Sequence, residues 1–93
     1  MQQPSIGRVV IVRAAPAQNN GADEAPAVIT RVWSPVEAGQ TAGSWTVNVR
    51  VLLDGVDVVP AKTSISLFPD RESADAAVPT VTNTHVGWWP PRV

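Results

Sequence analysis

The chain has 93 residues, a net charge of −1, no Cys, one His and four Trp. A chain of this length makes one domain, residues 1–93, and buries only about 60–65% of the surface its unfolded form exposes. The inventory excludes a thiol nucleophile, a CxxC redox pair, a Cys-rich zinc site and a multi-His metal centre, and it makes any Ser-His-Asp triad depend on His85.

Val, Ile and Thr supply 27 residues against three Leu, while nine Pro and six Gly interrupt the chain too often for long helices. The class is therefore all-β. Residues 7–13 (GRVVIVR) predict a first strand whose near-continuous apolar run is at least partly covered on both faces. A connection of about thirteen residues follows, AAPAQNNGADEAP, long for a compact domain and of mobile composition. The second strand is expected over 27–33 (AVITRVW), with Val28, Thr30 and Val32 on one face and Ile29, Arg31 and Trp33 on the other. Residues 34–43 read as a loop.

The third strand, 44–53, has the clearest pattern. Trp45, Val47, Val49, Val51 and Leu53 share one face and Thr46, Asn48 and Arg50 the other, as in a half-buried antiparallel strand. Asp54-Gly55 follows, then VDVV, which predicts a tight hairpin into a fourth strand over 56–59. Pro60 ends it. A fifth strand over 63–68 places Ile65 and Leu67 opposite Ser64, Ser66 and Phe68. Residues 69–79 form either a loop or one short helical turn in ESADAA, and 80–89 supply a last strand. Five to six short strands predict a small curled antiparallel sheet or open barrel, and the thin core points to an oligomer.

No apolar run approaches the ~18–20 residues needed to span a bilayer, so no membrane contact is expected. Residues 1–5 lack the basic-then-apolar pattern of a signal peptide, and the absence of Cys fits a cytoplasmic product. A charge of −1 argues against duplex nucleic acid, which demands many phosphate contacts. Four of the seven cations, Arg8, Arg13, Arg31 and Arg50, nevertheless lie in or beside predicted strands, while the acids lie mostly in connections. Arginines on a rigid sheet suit a small anionic ligand, because guanidinium is a planar fork matched to phosphate; equally, they suit solvent-side protection of the sheet.

Indoles offer flat faces for stacking a base. Trp45 belongs to the regular apolar face and is expected in the core. Trp33 sits at a strand end beside Arg31, where the two could clasp a base and a phosphate. Trp88 and Trp89 are adjacent and point opposite ways on an extended chain, so that one packs and the other faces a ligand or a subunit interface. Thr30 and Asn48 could bond a ligand edge. Asp54 and Asp57 flank a turn whose chemistry accounts for Asp54 without catalysis. No P-loop, GxGxxG or HExxH is present, and neither metal nor cofactor is expected.

The order GRVV at 7–10, AVITRVW at 27–33, VNVRVLLDG at 47–55 and a closing Trp89-Pro90 resembles a widespread family of short proteins of actinophages and other tailed phages. The chain departs from that pattern at Ile11-Val12, where relatives carry His-Tyr, and at Gly87-Trp88, where they carry Trp-His. The resemblance implies a counter-defence role of the nucleotide-sponge (anti-CBASS) kind in the host bacterial cytoplasm: a non-enzymatic homo-oligomer that sequesters a small cyclic nucleotide. On this reading Arg8 and Arg31 contact phosphate and Trp33, Trp88 and Trp89 stack on bases. Thr30 and Asn48 add polar contacts, and Asp54-Gly55 hold the hairpin. Two other roles remain open. One is a virion accessory protein, in capsid decoration or the head–tail junction; the other is a single-strand nucleic-acid binder.

Overall fold

The computed structural model describes residues 4–35, 45–55, 59–77 and 85–91. Five strands, β1 (Val9–Arg13), β2 (Glu24–Pro35), β3 (Trp45–Val51), β4 (Ala61–Phe68) and β5 (Val86–Trp88), close into a barrel in chain order. Among the described residues one α-helix, α1 (Arg71–Ala77), stands between β4 and β5, and a 3-10 turn, Pro16–Gln18, between β1 and β2. The small all-β fold is the one the composition predicts, but it is closed rather than open. Four pairings are antiparallel and β4–β5 is parallel, which requires a longer connection than a hairpin.

The interior explains the wealth of Val. Five strands enclose a narrow space, and Val10, Val12, Ala25, Ala27, Ile29, Val47, Val49, Val51, Ile65 and Leu67 fill it. Gly87 also faces inward, where a Cβ would stand 2.9 Å from the carbonyl oxygen of Ile11. Trp89 packs into the same cluster two residues on. Trp88 takes the opposite face and joins Phe68, Ala74 and Val86 in a second cluster under α1, against which Ile11 packs. The expectation that the two adjacent indoles point opposite ways holds, yet both are buried.

Three sequence expectations fail, two because long-range hydrogen bonds override local turn signals and one because of a bulge. The connection at 14–26 is not loose. Asn19, 2% exposed, donates from Nδ2 to the carbonyls of Ala22 and Glu24 and accepts from the Asp54 amide at 2.7 Å, so β2 begins at Glu24. The tight hairpin is also absent. Asp54 and Gly55 do form a turn, with Gly55 at φ +77°, but Leu52 N–H donates to Pro26 and Val51 N–H to Pro60. The partner of Arg50 is therefore Ala61, and Val59 lies outside any strand. The expected strand residues 56–58, Asp57 and residues 80–84 lie outside the described residues.

The single face expected for Ile29, Arg31 and Trp33 is the third. A bulge at Thr30 lets Ile29 pair with Val49 and Arg31 with Asn48, which shifts the alternation by one. Ile29 and Val32 turn to the core, and Arg31 and Trp33 turn outward.

Candidate functional site

Asn48 sits where two bulges meet. On one side is the Thr30 bulge of β2; on the other, β4 places Thr63 and Ser64 against it, since Val47 pairs with Ile65 and Val49 with Lys62. Ser64 adopts φ +56°, a left-handed conformation costly for a residue with a Cβ. Its amide N–H donates to Asn48 Oδ1 at 3.0 Å, which offsets part of that cost. The same oxygen accepts the indole N–H of Trp33, also at 3.0 Å. With both lone-pair directions of Oδ1 in use, the amide NH2 of Asn48 is turned away from these donors.

Trp33 is 46% exposed, unusual for the largest apolar side chain, and its ring is covered on one side by Arg31, whose guanidinium carbon lies 3.8 Å from the ring centroid. Stacking uses the faces of the guanidinium and leaves N–H groups at its edge for an anion. The result is an ordered outer platform of a planar cation, an indole and a fixed amide. Thr30 lies exposed in the adjoining bulge. Four of the seven expected ligand residues thus fall on one stretch of the barrel wall.

The other three form a second group. Arg8 lies over the Trp89 ring at 5.5 Å, and with Trp88 these residues line a groove of about 800 Å³ floored by Val9 and Ile11. Trp88 is 3% exposed and Trp89 8%, so their rings are spent on core packing and are not presented for stacking as the sequence reading expected. Trp45 is half-buried and packs against the core as expected.

A charged cluster closes one end of the groove, and sequence reasoning missed it. Buried Arg13 is ion-paired with Asp75 of α1, and Arg71 reaches Glu24 at 2.6 Å, Asp23 at 3.2 Å and Asp75 at 3.5 Å. Burial works against the Arg71 charge, but these three carboxylates outweigh it and raise the pKa. Arg13 and Arg71 also approach the Trp88 ring, at 5.8 and 5.3 Å. Asp70 caps α1, accepting the Ser73 amide at 2.7 Å; the Ser73 amide and hydroxyl hold its carboxyl below the usual range. The available signal was Asp70 followed three residues later by Ser73, a helix start that also places Arg71 in the first turn.

Among the described residues no group of His, Asp and Glu is placed to hold a metal ion, and no helix is long and apolar enough to cross a membrane. Neither protein-family models, curated proteins nor solved structures show a match to this chain.

Proposed function

We propose that this protein binds and sequesters a small nucleotide, such as a cyclic dinucleotide, on the Arg31–Trp33–Asn48 platform without cleaving it. The observation that carries the reading is an exposed indole already held in place, stacked under Arg31 and bonded through its N–H to Asn48. Ordering a large side chain on binding costs about 0.5–1.5 kcal/mol, and that cost is already met here. The uncovered indole surface takes a base, a contact worth about 1–3 kcal/mol, while the guanidinium edge takes a phosphate. The sequestering, counter-defence role follows from the phage-protein resemblance.

Calorimetry with cyclic dinucleotides, cyclic trinucleotides and cyclic ADP-ribose isomers tests the reading. One of them should bind with Kd below about 10 μM, or about −7 kcal/mol. It should be recovered intact after heat release, and Trp33→Ala and Arg31→Ala should each weaken it by about tenfold or more. If no nucleotide in the panel binds, the reading fails.

A second reading has its own support. Leu52 and Val59 are 43% and 45% exposed, and with Trp33 they give the described surface several large apolar side chains. A virion accessory protein would use them at protein contacts. Mass spectrometry of purified particles decides between the two, since a stoichiometric copy number in the particle favours the structural role.

A further inference from the structure

We propose that the mouth of the barrel beside Lys62 is a second site, which holds a small apolar aldehyde as an imine on the Lys62 amine. Lys62 is the only lysine in the sequence. Its partner across the β3–β4 ladder is Val49, a fully buried core residue. Residues directly opposite in an antiparallel pair project from the same face, so the Lys62 stem sets out toward the interior. The register shift between Val47 and Val49 produces this placement. Ile65 and Lys62 both oppose core valines, while Thr63 and Ser64 between them are exposed. Because β4 begins at Ala61, Lys62 stands at the end of the barrel and is half-buried there.

What Lys62 borders is a hollow of about 220 Å³, lined also by Ala14, Ala15, Gln18, Val51, Leu53 and Pro60. Among the described residues lining it, Lys62 alone is ionisable. Barrel mouths are a usual place for ligand pockets. A dry apolar cavity of about 150 Å³ takes up benzene, so this one has room for a single ring with a short substituent. The amine and the walls then select the chemistry. Only an uncharged amine attacks a carbonyl, and burial pushes the Lys62 pKa below its ordinary value, which raises the share of that form. A carboxylate ligand would instead need the ammonium form, which the same burial disfavours. The nitrogen lone pair adds to the carbonyl carbon, the C–N bond forms, and the carbinolamine loses its hydroxyl as water. Aldehyde and amine become imine and water with no change of oxidation state. The apolar body of the aldehyde packs on Val51, Leu53 and Pro60.

Benzaldehyde with cyanoborohydride, which reduces the imine to a stable benzylamine, tests this on the full chain. The amines present are Lys62 and the amino group of Met1, and peptide mapping assigns the label between them. Lys62 should be benzylated about tenfold or more faster than the side chain of Nα-acetyl-lysine amide, because the ring buries apolar surface. Its rate should also saturate with benzaldehyde, as that of a filled site does. A lowered pKa alone would speed labelling without saturation. Gln18→Trp, at an exposed position lining the hollow, should slow labelling of Lys62 and leave that of Met1 unchanged. Lys62 labelled no faster than the free lysine, or at a rate that stays proportional to benzaldehyde, overturns the proposal. So does a Gln18→Trp variant, folded by circular dichroism, that leaves Lys62 labelling unchanged. Arg31, Trp33 and Asn48 do not line this hollow, and no nucleotide enters the assay, so the platform reading is tested separately.

Discussion

Trp33 donates its indole N–H to Asn48 Oδ1 at 3.0 Å, and this bond couples the exposed platform to the bulges beneath it. The oxygen also holds the Ser64 amide, so one side chain supports both a strained backbone position and the candidate binding surface.

Asn48→Ala should therefore act twice. Loss of the acceptor leaves two donors without their partner and should cost about 1–2 kcal/mol, measured as a lower urea midpoint at unchanged slope. Nucleotide affinity should fall along with it, because Trp33 must then be ordered on binding. A variant that loses stability but keeps full affinity would show that the platform does not depend on Asn48.

Gly87→Ala tests how tightly the barrel is filled. The new Cβ would meet the Ile11 carbonyl oxygen at 2.9 Å, Val12 Cγ1 at 3.2 Å and Ile65 Cγ2 at 3.3 Å. Backbone cannot move aside as a flexible side chain can, so the expected loss is about 1–3 kcal/mol. For a domain this small, each kcal/mol lowers Tm by about 4–8 °C. Scanning calorimetry reads it directly, and an unchanged Tm would mean that β5 sits less deeply than described.

Asn19→Ala should release the connection between β1 and β2. Its amide makes three hydrogen bonds from a buried position, and their partners would be left in place. The expected loss is about 1–3 kcal/mol. Hydrogen exchange should show faster exchange at the Asp54 amide, which bonds directly to the Asn19 side chain.

Acid should loosen α1 through its cap. The Asp70 carboxyl is held below its ordinary value of 3.8, first by the Ser73 amide and then by the Ser73 hydroxyl. A depressed folded pKa means the stabilisation is present above 3.8 and is lost as pH falls through the lower folded value. Asp70→Asn keeps an oxygen acceptor for the cap but cannot titrate. Its stability should consequently decline less than that of the wild type on acidification, as followed by the urea midpoint. Equal declines would place the acid sensitivity elsewhere.

What could be read from the sequence was whatever depends on near neighbours. Alternation at Val47, Val49 and Val51 identified a core-facing strand, because a strand's side-chain period of two is set locally. The β-branched composition identified the class, and the adjacency of Trp88 and Trp89 placed them on opposite faces for the same reason. Arg31, Trp33 and Asn48 could be named as candidates from their chemistry alone. That Arg31 and Trp33 turn outward could not be read, since the Thr30 bulge comes from the register with β3 and leaves no mark in β2 itself.

The remainder was decided by partners distant in sequence. Asp54-Gly55 has the local chemistry of a tight hairpin, yet Asn19 and Pro26 hold the chain elsewhere and Arg50 of β3 pairs with Ala61 of β4. Trp88 and Trp89 look like recognition residues in a list, but α1 and the barrel interior bury them. The net charge of −1 over 93 residues said little about partners. Folding sets Arg8, Glu24, Asp70 and Arg71 along one groove, and β1 and β2 run antiparallel, which aligns Arg13 with Glu24. A sequence carries the sum of its charges; only the tertiary fold separates them in space.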